Sequence, residues 1–270
     1  MKARIKFQKY GAMKFIGHLD IMRYFQKLFR RANIDNEYTK GFSPHQIMSF
    51  AAPLGVGLTS DAEYLDVQLL SCDAPDVMVE RINAILTEGF RIVDFHPLLE
   101  AELNTKVVTA MSLVALADYL VSLKDGYTIN DTIITQSDFA EAFRKFMKNP
   151  EIVIGKKTKT SEKEVNIKPM ISLAAFDQDE YEMKLQECLR YPYVKNKPES
   201  KADVYENGIQ LYLQIDTGSS ANLKPELVME AFYEELGLAF EKSAWQVHRL
   251  EVYTKDPVTG KLAALNQVDR

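Results

Sequence analysis

Apolar and polar residues alternate through ARIKFQKY (3–10), with Ile5 and Phe7 on one face and Arg4, Lys6 and Gln8 on the other. A period of two predicts a strand buried on one side. After Gly17 the period changes. Met22, Phe25, Phe29 and Ala32 recur three to four residues apart, which predicts an amphipathic helix over HLDIMRYFQKLFRRAN. Asp20 in its first turn and Arg30 and Arg31 in its last suit the helix macrodipole. Segment 38–58 carries the apolar residues of a strand, and EYLDVQLL (63–70) is a clear one. Pro75 opens a second helix, PDVMVERINAILTE, capped at Gly89, and FRIVDFHPLL (90–99) is the next strand. The order is β-α-β-β-α-β, the split βαβ or ferredoxin-like order.

The second half repeats this order less clearly. MSLVALADYLVSL (111–123) reads as a strand. SDFAEAFRKFMK (137–148) reads as a helix capped by Ser137, with Phe139, Phe143 and Phe146 as its stripe. Residues 151–176 form two extended pieces around a charged turn, and YEMKLQECL (181–189) alternates like a strand. RYPYVKNKPESKADVYENG (190–208) is a polar, proline-containing connection. IQLYLQID (209–216) is a strand, GSSANLKPELVMEAFYEELG a turn into a helix, and WQVHRLEVYT (245–254) the last strand. The expected fold is α+β: two tandem ferredoxin-like domains with antiparallel sheets, residues 1–103 and 104–270, joined near 100–108.

Composition bounds this picture without changing it. The 270 residues are 46% hydrophobic and 26% charged, as in globular proteins. No apolar run approaches the roughly 20 residues of a membrane span, and the N-terminus lacks a signal-peptide core. The two cysteines, Cys72 and Cys188, supply no disulfide framework, which places the chain in a reducing cytoplasm. Charge changes the picture more. Residues 1–50 hold ten Lys/Arg and three acids, a net of +7, so the remainder carries −12 of the overall −5. A basic N-terminal region on an acidic body points to a partner-facing asymmetry; the plainer reading is a solvated, balanced surface.

Arg23, Lys27, Arg30 and Arg31 fall at i, i+4, i+7 and i+8, a cationic ridge about 12 Å long at 1.5 Å per residue. Such spacing suits a phosphate backbone, although any surface helix needs polar residues. The stretch YTKGFSPHQIMSFAAPLGVGLTSDAEYLDV (38–67) adds Lys40, Gly41, His45, Gln46 and Ser49 as donors. Its glycines match neither GxGxxG nor a P-loop, since no GKS or GKT follows. It is a nucleic-acid surface or a bulged hairpin. His18 and His45 are the candidates for acid–base chemistry, and structural roles are the alternative for each. No metal-ligand spacing is present, so no metal is expected. Lys156, Lys157 and Lys159 at a basic hairpin tip, and Ser219 with Lys224 before a helix, form a secondary anion-binding set; an ordinary helix cap explains the latter equally.

FIGHLDIMR (15–23), the stretch 38–67, KPMI (168–171), GSSANLKPELV (218–228) and HRLEVY (248–253) together resemble the radical SAM-linked protein family. That bacterial family, of unassigned function, occurs alone or C-terminal to a cobalamin-binding radical SAM module. The resemblance implies association with a radical SAM enzyme and a setting of RNA processing. Two distant cysteines cannot form a CxxxCxxC cradle, so S-adenosylmethionine and an iron–sulfur cluster are expected only in a partner, and this chain carries no cofactor. The tandem order is also similar, at the level of fold, to CRISPR endoribonucleases. The resulting expectation is an accessory protein rather than an enzyme, one that binds RNA or presents a substrate for tRNA or rRNA modification or processing. The alternatives are a metal-independent endoribonuclease using His18 or His45, and a protein scaffold for the radical SAM enzyme.

Overall fold

The computed structural model describes residues 1–99, 108–157, 162–193, 198–219 and 221–268. It is a mixed α+β fold in which one mostly antiparallel sheet runs through both halves of the chain. The N-terminal half supplies β1 (Lys2–Lys9), α1 (His18–Arg31), β2 (Met48–Phe50), β3 (Thr59–Gln68), α2 (Pro75–Asn83) and β4 (Phe90–Leu98). The remainder supplies α3 (Ala110–Leu113), β5 (Leu116–Leu123), α4 (Gln136–Phe146), β6 (Val153–Lys157), β7 (Glu162–Asn166) and β8 (Ile171–Ala175). It continues through α5 (Gln178–Cys188), β9 (Gln210–Asp216), α6 (Pro225–Glu235), β10 (Trp245–Lys255) and β11 (Leu262–Ala264).

The main sheet runs β4-β1-β3-β10-β5-β9-β8, with β2 added to β3 and β11 to β10, while β6 and β7 form a separate hairpin. The halves meet where β3 and β10 lie parallel, paired at Thr59 with His248 and at Ser60 with Arg249. The expected boundary at 103/104 lies outside the described residues.

Two aromatic cores hold helices to the sheet. In the first half Phe25 of α1 sits with Phe7, Phe50 and Phe90, ring centroids 4.8 to 5.9 Å away. Burying each such ring contributes about 1.5–3 kcal/mol. In the second, Phe139, Phe143 and Phe146 of α4 close on Phe176 and Phe232. Tyr119, on the helix side of β5, is joined through Arg249 to Glu63, which shares a face with Phe7. Helices α1, α2, α4 and α6 therefore cover one face of the sheet, and α5 with the 198–206 segment covers part of the other.

Four local expectations are corrected. Residues 110–113 are helical, and the strand begins at Leu116. The α4 cap is Thr135, whose hydroxyl accepts from the Asp138 amide while Asp138 caps in return, a reciprocal capping box. Segment 181–189 is helical through Cys188, with Leu189 as the C-cap of α5, because Asp177 caps the helix start and Tyr181 and Leu185 are buried four residues apart on one helical stripe. Most consequentially, the polar face of β1 is not solvated: Arg4 and Gln8 are buried. Their partners lie far along the chain.

Candidate functional site

Helix α1 buries Ile21, Phe25, Leu28 and Phe29, which turns Arg23, Lys27, Arg30 and Arg31 outward as the heptad spacing requires. Arg23 is not wholly unneutralised, since it pairs with Asp20 at 3.2 Å, both side chains about two-thirds exposed. Arg31 donates to the Ile85 carbonyl at 3.4 Å. Lys27 and Arg30 show no protein partner among the described residues. All four belong to one exposed surface.

The stretch 36–47 forms a narrow turn-back, closed by bridges between Asn36 and Leu69 and between Tyr38 and Gln46. Gly41 has φ +123°, a conformation that costs an L side chain and explains a glycine at the tip. Lys40, Gly41, Phe42 and His45 are exposed there. The Thr39 hydroxyl lies 3.1 Å from both the amide and Nδ1 of His45, fixing the ring across the turn. Gln46 is buried, with Nε2 donating to the Tyr38 hydroxyl at 3.4 Å, so its amide faces the protein. Ser49 is half-buried in β2.

His18 begins α1 with its ring edge-on to Phe50 at 5.1 Å. His45 lies on the 36–47 turn against Thr39 and Ser43, and among the described residues no contact joins the two imidazoles. Ser219 and Lys224 are exposed at the approach to α6. Lys156 and Lys157 lie in the β6 backbone, and Lys159 is outside the described residues.

Periodicity did not reveal the polar seam between the halves. On the open face, Arg4 pairs with Asp66 at 2.8 Å and donates to the Leu265 carbonyl at 2.8 Å. Lys6 meets Glu251 at 2.6 Å, and the Tyr64 hydroxyl donates to the same carboxylate at 2.6 Å. Asp61 accepts from Gln8 Nε2 at 3.0 Å, from the Lys201 amide at 2.8 Å and from the Ser200 hydroxyl. His248 Nε2 lies 3.0 Å from Asp61, out of line for a well-formed hydrogen bond, and its Nδ1 is 2.8 Å from the Thr59 hydroxyl. Burial would raise the Asp61 pKa, but His248, Ser200 and the Lys201 amide hold it below its ordinary value. Above these groups is a cleft of about 680 Å³ reaching Tyr181, Tyr205 and Tyr212.

On the helix-covered face, Arg249 donates to Glu63 at 2.8 Å, to the Ala52 carbonyl at 2.7 Å and to the Tyr119 hydroxyl at 3.3 Å. Burial disfavours the guanidinium charge, but Glu63 and Tyr119 outweigh it and raise the pKa. Lys9 has no solvent exposure and couples to both charges. Burial lowers its pKa, Glu63 opposes this, and Arg249 adds to it. A second cleft of about 520 Å³ lies beside Arg249, between the 51–58 segment and the start of α6. The sequence signal for it was the adjacency of His248 and Arg249, which alternation sends to opposite faces.

The family model described as an uncharacterized protein conserved in bacteria (DUF2344) matches residues 2–225, and the chain belongs to that family. No curated protein matches it.

Proposed function

We propose that this protein is an accessory RNA-binding, substrate-presenting factor that works with a separate radical SAM enzyme in tRNA or rRNA modification or processing. The observation that carries the reading is the exposed ridge of α1, where Lys27 and Arg30 are unneutralised among the described residues. Mobile, solvated cations at helical spacing suit sequence-independent phosphate contact. Lys40, His45 and the exposed Phe42 on the 39–45 turn offer donors and a stacking ring to an unpaired base. The radical SAM partner rests on the resemblance of the motifs at 15–23 and 38–67, and on the lack of a cysteine cradle in the sequence.

The strand orders support the tandem architecture within this reading. The first half is ordered β4-β1-β3-β2 and the second β10-β5-β9-β8, each with its first strand beside its last. We take each as a split βαβ unit, with the β6–β7 hairpin and α5 inserted in the second. The scaffold reading draws on Phe42, exposed at a tip where a protein partner could also bind. The nuclease reading, which uses His18 or His45, has less support, because among the described residues no contact joins either imidazole to a second acid or base.

The test is anisotropy of labelled total tRNA across a salt series. The R23E/K27E variant should bind at least tenfold more weakly, with a salt slope shallower by about two phosphate contacts. Affinity and slope equal to wild type would refute the ridge as an RNA surface.

A further inference from the structure

The cleft of about 680 Å³ lies on the open face of the sheet, opposite the face that α1 covers. Its floor belongs to two neighbouring strands. Leu120 and Ser122 of β5 stand directly across from Tyr212 and Gln210 of β9, and alternation turns all four side chains to the cleft. Tyr181 of α5 lies flat on Tyr212, with ring centroids 4.8 Å apart and planes 17° from parallel. Asp118 accepts from the Tyr181 hydroxyl at 2.6 Å, which fixes the stack. Tyr193 and Tyr205 add to the aromatic lining. The 198–205 segment closes the side toward β1 and β3, where Gln8 and Asp61 hold it.

Two hydroxyls of this floor are unused. Ser122 is 7% and Tyr212 8% exposed, and neither side chain has a hydrogen-bond partner among the described residues. Both hydroxyl oxygens keep accessible surface, unlike the sealed, unpartnered atoms Gln8 Oε1 and Arg249 Nε. Buried hydroxyls are ordinarily bonded, and the neighbouring Tyr64 and Tyr181 follow that rule through Glu251 and Asp118. Burial also keeps Tyr212 in its neutral, proton-bearing form, its pKa pushed up to about 12. Ser122 and Tyr212 therefore offer donors and acceptors to a molecule entering the cleft.

The same lining disfavours anions. Lys6 is its one cation among the described residues, and Glu251 engages it at 2.6 Å. Asp61, Glu199 and Asp203 are the other charged groups, the last two paired with Lys201 and Lys14. No unpaired cation is left for a phosphate, and a phosphate without one is costly to desolvate. Tyrosine rings around a hydrogen-bonding floor suit a flat heteroaromatic ring with polar edges, and the volume suits a small ligand. From these features we infer that the cleft binds an uncharged purine nucleoside, its base among the tyrosines and its polar groups on the Ser122 and Tyr212 hydroxyls. The inference does not rest on the RNA reading, whose cations lie on α1.

Calorimetric titration of the full chain with adenosine, inosine and their 5′-monophosphates tests it. At least one nucleoside should saturate in the millimolar range or below, and its monophosphate should bind roughly tenfold more weakly. Tyr212→Phe keeps the ring stack and removes only the hydroxyl, and Ser122→Ala removes the other. Each should weaken the nucleoside about fivefold, the size of one lost hydrogen bond, while thermal unfolding stays close to that of wild type; a loss in either variant supports the site. R23E/K27E should bind the nucleoside like wild type, and weaker binding would move the ligand to the α1 surface and overturn the site. No saturation by either nucleoside in the millimolar range, a monophosphate as tight as its nucleoside, or both hydroxyl variants indistinguishable from wild type would overturn it as well.

Discussion

Glu63 stands between two buried cations, and removing it should be worse than removing either neighbour. Lys9 is 0%, Glu63 4% and Arg249 5% exposed, so none is strongly screened by solvent. Glu63→Met leaves Lys9 and Arg249 as buried like charges without a carboxylate. Breaking a buried pair in this way costs about 3–5 kcal/mol. Arg249→Met leaves Lys9 to neutralise Glu63, and its main loss is the hydrogen bond to the Ala52 carbonyl, about 1–3 kcal/mol. The ordering has a pH signature. Burial already lowers the Lys9 pKa, and without Glu63 it should fall further. Between that folded value and the ordinary lysine value of 10.5, the unfolded chain binds a proton that the native state lacks. Stability therefore rises with pH across that window. Urea unfolding followed by Trp245, the single tryptophan and a buried one, gives the measurement. The deficit of Glu63→Met should exceed that of Arg249→Met at pH 7 and shrink toward pH ~9.5 as Lys9 loses its proton. A larger loss in Arg249→Met, or a Glu63→Met deficit constant with pH, would refute the reasoning.

Two further outcomes follow from named contacts. Asp61→Asn should loosen segment 198–203, because the carboxylate accepts from both Ser200 and the Lys201 amide; amide exchange at Lys201 should rise about tenfold if roughly 1.4 kcal/mol of local stability is lost, and unchanged exchange would contradict the latch. Since the folded Asp61 pKa is depressed, its contribution is complete above the ordinary carboxylate value and disappears as pH falls through the folded value. Thr135→Ala should cost about 1 kcal/mol through the lost α4 cap while Ser137→Ala is nearly silent in thermal unfolding; the reverse would place the cap at Ser137.

Where one periodicity held over a full element with one buried face, as in α1, the sequence was legible. Segment 181–189 was not, because an i, i+4 pair at Tyr181 and Leu185 inside nine residues also satisfies alternation over part of its length. The misreading of β1 has a different cause. Alternation records that Arg4, Lys6 and Gln8 share a face; it does not say whether water or protein covers it. Their partners include Asp66, Glu251 and Asp61, from 53 to 245 residues away. Separations of that size leave no local signal, and the seam became visible only once β3 and β10 were seen side by side.

The seam changes what the charge asymmetry means. Of the ten cations in residues 1–50, Lys2, Arg4, Lys6, Lys9 and Lys14 engage carboxylates of the fold, and the four acids concerned, Asp66, Glu251, Glu63 and Asp203, all come from the acidic remainder. A basic segment followed by an acidic body therefore describes in part how the chain holds itself together. The other five, Arg23, Lys27, Arg30, Arg31 and Lys40, are exposed. This halves the charge available to a partner but assigns it to one helix and one turn. A net charge for the whole chain would argue against a polyanion, yet screening limits an exposed charge to about 8–10 Å at physiological salt. A phosphate beside α1 would respond to these five cations more than to the distant acids. The electrostatic case for RNA consequently depends on the ridge itself, which is why reversing Arg23 and Lys27 is a sharper test than any measurement of overall charge.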